Sequence, residues 1–205
     1  MASHIFLFGH RQQHGKDTCC NILEEIFKKK NITYCRTYFA KLLKKQVAEK
    51  YNLDFNKMDD NEYKLSKPAH LNGKTIREVL IKEGCAAREI WADVWANSVY
   101  QEILTSGKSI GVVSDYRFPN EYECFDRSFE YWSSLSSANN EKPKVIRILV
   151  HRPNGIFKND GADGELPDIE KPEFWDYIII NNDVTGWKNV LHENVLAIMQ
   201  MEKIL

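Results

Sequence analysis

Ile5-Phe-Leu-Phe-Gly-His-Arg-Gln-Gln-His-Gly-Lys-Asp-Thr-Cys19 is the stretch around which the rest of the chain is read. Ile5 to Phe8 is apolar and β-prone, and predicts a short buried strand. Gly9 to Gly15 is a polar loop. Beyond it Cys19, Ile22, Leu23 and Ile26 recur at the spacing of a helix packed on one face. Strand, glycine-bounded loop, Gly-Lys and helix is the layout of a phosphate-binding loop. Backbone N–H groups at a helix start lack internal partners and point at any anion placed there. Gly15 has no Cβ to keep a phosphate away, and Lys16 adds a mobile point charge. The spacing departs from the usual pattern. Five residues separate the two glycines, and Asp17 follows Lys16, with Thr18 next. A plain strand–helix turn carrying a surface lysine is the competing reading of the loop alone.

Composition narrows the field. A chain of 205 residues suits one domain with a real core. Lys and Arg (28) nearly balance Asp and Glu (29), so no basic field points to nucleic acid. No apolar run has membrane-spanning length. The five cysteines (Cys19, Cys20, Cys35, Cys85 and Cys124) show no metal spacing, and no leader is expected before them. They are expected as reduced thiols in a cytoplasm-like compartment.

The remaining strands are expected at Ile32 to Tyr38, Ser109 to Asp115, Val145 to His151 and Tyr177 to Ile180. Helices are expected from Phe39, from Thr75, after Asp93 as a cap, from Pro119 and around Trp187. Asn52 to Lys67 reads as a loop or short helices. Strands alternating with helices predict an α/β fold of nucleotide-kinase type: a five-stranded, mainly parallel sheet with helices on both faces. A helical insertion is expected over about residues 39–107, and a long loop at about 152–172 is the lid candidate. Ser109 to Asp115 delivers an acid to the sheet edge where ligands bind in such folds. Asp115 is therefore a candidate for holding magnesium, with Arg117 on the same rim. A helix cap and a surface ion pair are the bland readings of these two residues.

Several motifs together resemble the viral deoxynucleoside monophosphate kinases, best known from tailed phages. They are Gly15-Lys-Asp-Thr18, Phe39-Ala40 with Leu43-Lys44, Thr75-Ile-Arg-Glu-Val-Leu80 with Gly84 and Arg88, Trp95, and Ser114-Asp-Tyr-Arg-Phe-Pro-Asn-Glu121. Cys85 stands where that family has Thr, and no His-x-Ser-Glu element lies around Asp160 to Pro167. The resemblance implies transfer of the γ-phosphoryl of ATP to a deoxynucleoside 5′-monophosphate. It lays the ATP site on His14, Gly15, Lys16, Asp17 and Thr18. Magnesium falls among Asp17, Thr18 and Asp115. The acceptor site falls on Phe39, Lys44, Arg77, Gly84, Arg88, Trp95, Arg117 and Glu121. Lys16, Asp115, Arg117 and Arg152 are the catalytic candidates, Arg152 supplying charge from the lid base. A homodimer is left open, and the host cytoplasm is the expected location.

Two other readings stand beside it. Animal phosphomevalonate kinases carry a similar Gly-Lys-Asp loop, so the acceptor can be another small phosphate ester. The longer loop and altered lid also fit a nucleotide-binding sensor with weak turnover.

Overall fold

The computed structural model describes residues 2–9, 11, 13–135, 141–155, 166–182 and 185–205. Its centre is a sheet of five strands: β1 (His4–Gly9), β2 (Tyr34–Thr37), β3 (Ile110–Tyr116), β4 (Lys144–His151) and β5 (Tyr177–Ile180). They lie in the order β2-β3-β1-β4-β5, and each neighbouring pair is parallel. The sequence predicted a mainly parallel sheet; among the described residues it is wholly so. Parallel strands carry helices on both faces, which is why β1 is a continuous apolar run rather than an alternating one. Phe6 and Phe8 face a core shared with helix α1 (Lys16–Lys30) and helix α7 (Trp187–Met201). Ile5 and Leu7 face the opposite core, built with helix α5 (Val94–Thr105) and helix α6 (Pro119–Leu135).

Between β2 and β3 the chain leaves the sheet. Helices α2 (Ala40–Lys50), α3 (Asn61–Leu65) and α4 (Ile76–Ile90) precede α5 there. They enclose a third apolar cluster, with Val47, Met58, Leu71, Ile76 and Val79 buried in it. Local chemistry fixes the ends of these helices. Thr75 Oγ1 accepts from Glu78 N at 3.1 Å, while Glu78 Oε2 accepts from Thr75 N at 2.7 Å, a reciprocal box that starts α4. The polar stretch 52–67 becomes one 3-10 turn and α3, started by the Asp54 and Asp60 carboxylates accepting from Asn56 N and Tyr63 N.

Two expectations need correction. Asp93 does not cap α5 with its side chain. Its carboxylate accepts instead from Asn120 Nδ2 at 3.1 Å and Arg127 Nη2 at 2.8 Å, tying α5 to α6. β2 is shorter than Ile32 to Tyr38, because Thr33 spends its hydroxyl on Ser109 N and its carbonyl on the Ser109 hydroxyl. About half of the lid candidate, 156–165, lies outside the described residues, as does His10.

Candidate active site

The loop between β1 and α1 sits at the C-terminal edge of the sheet. Gly15 takes φ 106°, a left-handed conformation that favours glycine, and α1 begins at the next residue. A Cβ on Gly15 would also fall 2.9 Å from Asn181 Nδ2. That same amide nitrogen donates to the His14 carbonyl at 3.0 Å. Lys16 is not a surface lysine: it is 7% exposed. Its ammonium donates to the Arg11 carbonyl. Burial, then the neighbouring Arg117 guanidinium, pulls its pKa down to about 8, against the pull of Asp17 and Asp115. Lys16 is therefore still a cation at neutral pH.

His14 supports the loop from beneath. Its Nδ1 accepts from Arg152 N at 3.2 Å, and burial first of all lowers its pKa to about 4, which keeps the ring neutral. Arg152 Nη1 donates to the Gln13 carbonyl at 3.1 Å. Arg152, expected to supply transition-state charge from the lid base, thus contacts the loop and does not line the cavity described next.

A cavity of about 770 Å³ opens between the sheet edge and helices α2, α3 and α4. Lys16 and Asp17 reach it from α1, and Asp115, Arg117 and Glu121 from the end of β3 and start of α6. Phe39 and Lys44 reach it from the α2 side, Arg77, Gly84 and Arg88 from α4, and Trp95 from α5. Every acceptor residue expected from the sequence therefore meets in one cavity, whereas His14, Gly15 and Thr18 are not part of its lining.

Backbone N–H groups engage the two acids of this cavity wall, and for Asp115 this is the helix-cap reading weighed from the sequence. Asp115 accepts from Phe39 N at 2.7 Å and Ala40 N at 3.2 Å. It caps α2 and so fastens the end of β3 to the cavity wall. Glu121, expected at the substrate, is 6% exposed and accepts from Arg117 N at 2.7 Å and Phe118 N at 3.0 Å. Burial, then the nearby Asp115, pushes its pKa up to about 8 against those two hydrogen bonds. Glu121 shapes the turn that presents Arg117.

Trp95 is buried, with Nε1 donating to the Gly84 carbonyl at 3.3 Å. Phe39 is buried edge-on to Phe125. Both rings line the cavity wall. The small residue at Gly84 admits a neighbouring helix: a Cβ there would lie 2.9 Å from Leu43 Cδ2. Arg88 lies 4.6 Å above the Phe118 ring.

Two cations in the cavity were not singled out from the sequence. Arg36 of β2 is gripped by Glu24 at 2.7 Å and Asn21 at 2.5 Å, and reaches Asp17 at 3.4 Å. Lys64 of α3 has its pKa lowered first by burial and then by Lys44 and Arg77 beside it. That repulsion marks Lys44, Lys64 and Arg77 as one cationic group, offset in part by Asp59. Stretch 52–67 has no apolar period, so the helix that brings Lys64 inward was visible only through the spacing of Asp60.

Among the described residues no group of three or more His, Cys, Asp or Glu gathers to hold a metal. Magnesium in phosphoryl transfer needs no such cage, since one or two carboxylates and the substrate phosphates suffice. The Asp17 carboxylate is 79% exposed on the cavity lining and suits that role. Both Asp115 oxygens already face backbone N–H groups.

A family model described as phosphomevalonate kinase matches residues 8–131. No curated protein matches the chain. The matched span runs from the phosphate loop into α6 and takes in more than half of the 205 residues. The chain belongs to the phosphomevalonate kinase family, which makes it an ATP-dependent kinase. The match supports the kinase that the motifs implied, without reaching the viral deoxynucleoside monophosphate kinases specifically.

Proposed function

We propose that this member of the phosphomevalonate kinase family transfers the γ-phosphoryl of ATP to the phosphate of a small phosphate monoester, giving a diphosphate. The observation that carries the reading is the convergence of Lys16 and Arg117 with Lys44, Lys64 and Arg77 around one cavity. Two polyanions must meet for this reaction, and their repulsion has to be offset. Transfer of this kind needs positioning and charge neutralisation more than covalent help. The loop N–H groups from His14 to Thr18 and the Lys16 ammonium hold the donor phosphates. Arg117 sits between donor and acceptor. The cations of α2, α3 and α4 hold the acceptor. An acceptor phosphate oxygen forms the new P–O bond as the bond to ADP breaks; the acceptor is already anionic, so no general base is required. Magnesium, when bound, neutralises phosphate charge beside Asp17.

The family match favours phosphomevalonate as acceptor. A second reading, a deoxynucleoside monophosphate, is favoured by the apolar wall of Phe39, Leu43, Leu80 and Trp95, against which a base would lie. The test is ADP release with magnesium and ATP against a panel of phosphomevalonate and the four deoxynucleoside monophosphates. Turnover with phosphomevalonate supports the first acceptor, and turnover with the nucleotides alone supports the second. Tight ATP binding with no ADP from any acceptor would turn the reading toward a nucleotide sensor.

A further inference from the structure

The loop owes its shape to residues far along the chain. Arg11 Nε donates to Asp168 Oδ2 at 2.9 Å, and the two side chains are only 21% and 14% exposed. The other Asp168 oxygen faces His151 Nδ1 at 2.8 Å and accepts from Ile169 N at 2.9 Å. Asp168 is therefore held on both sides, and holds Arg11 in turn. The Arg11 carbonyl receives the Lys16 ammonium. A line of contacts thus runs from Asp168 through Arg11 to Lys16. An ammonium has three N–H bonds. Committing one to a fixed carbonyl sets the direction of the other two.

We propose that Asp168 is a positioning residue for the donor nucleotide, acting through Arg11 to aim the Lys16 ammonium at the phosphates. The inference rests on the reading of the Gly9–Thr18 loop as the donor site. It goes beyond the family match, which ends at residue 131. A partly buried, charge-assisted contact of this kind is stronger than a neutral hydrogen bond, and losing it lets the loop relax.

The experiment measures Mg-ATP affinity by calorimetry with no acceptor present, and then steady-state kinetics with each substrate varied. Asp168→Ala is expected to weaken ATP binding and raise the KM for ATP by about tenfold, the scale of a charged hydrogen bond. The KM for the acceptor should stay unchanged. Asp168→Glu should recover part of the loss. Arg11→Met should match Asp168→Ala, and the double variant should be no worse than Arg11→Met alone. A double variant whose losses multiply would overturn the proposal, because Asp168 would then act without Arg11. So would wild-type ATP affinity in Asp168→Ala, or in Arg11→Met should Asp168→Ala fail to fold. A wild-type chain that binds no ATP would instead sink the donor-site reading, and this inference with it.

Discussion

Gly9 and Trp175 are in contact so close that only a glycine fits between strand and ring: a Cβ built on Gly9 falls 2.4 Å from Cη2 of the indole. The first glycine of the phosphate loop is thus required by packing. Trp175 packs edge-on to Tyr116 at 5.8 Å and is 6% exposed, so the ring has little room to retreat.

Gly9→Ala is accordingly expected to destabilise the fold by about 1–3 kcal/mol, the usual cost of overfilling a packed core. In a Trp175→Leu background the same change should cost distinctly less, because the obstructing ring atoms are gone. Denaturant midpoints of the four chains measure this cycle. Equal costs in both backgrounds would place the strain elsewhere.

Lys16→Met should lower transfer by about two to three orders of magnitude, as loss of a preorganised electrostatic donor does. The same variant should be more stable than wild type at pH 7, by roughly 1–3 kcal/mol, because a buried charge is removed. The sign follows from the pKa near 8 in the folded chain against an ordinary value of 10.5. Between those values the unfolded chain holds more protons, so wild-type stability climbs with pH there and the variant's does not. Melting temperatures from pH 7 to 10.5 test this.

Glu121→Gln keeps an oxygen to accept from Arg117 N and Phe118 N but cannot ionise. The wild-type carboxyl has its pKa raised from 4.5 to about 8. Its contribution to stability is therefore complete below pH 4.5 and is lost as pH rises through 8. The variant should match wild type near pH 4.5 and exceed it at pH 8, with the turn that carries Arg117 intact. Parallel pH–stability curves would mean that Glu121 is already ionised in the fold.

Arg117→Lys keeps the charge and loses the planar fork. It should leave the KM for ATP unchanged and reduce kcat/KM for the acceptor by at least about tenfold, the scale of one charged hydrogen bond. Kinetics with the acceptor varied at saturating ATP check this. An unchanged kcat/KM would move the acceptor phosphate to Arg77 and Lys64.

The sheet was legible in the sequence because its strands are short apolar runs between turn residues, and a buried strand has little else to be. The gathering of Lys16, Arg77, Arg88 and Arg117 in one cavity was legible through the resemblance, whose motifs carry these residues. What each side chain does there was not. Asp115 and Glu121 read as ligand-facing acids, yet both Asp115 oxygens and Glu121 Oε2 accept from backbone N–H groups. A carboxylate that caps a turn and one that meets a substrate have the same one-letter code, and only the neighbouring backbone separates them. Trp95 and Phe39 were ambiguous for a similar reason, since a wall and a stacking face differ only in burial. The Arg11–Asp168 contact spans 157 residues of chain, a separation over which no local pattern in the sequence carries a signal.

The order of the strands has one more consequence. β2 and β3 lie on one flank of β1, and β4 and β5 on the other. The helices that wall the cavity hang between β2 and β3, while Arg152, Asp168 and Asn181, which steady the phosphate loop, follow β4 and β5. On the proposed function, most residues that hold the acceptor and those that steady the donor loop therefore come from different stretches of chain. Exchanging the segment between β2 and β3 would then be the change that alters the acceptor while leaving the contacts beneath the loop in place.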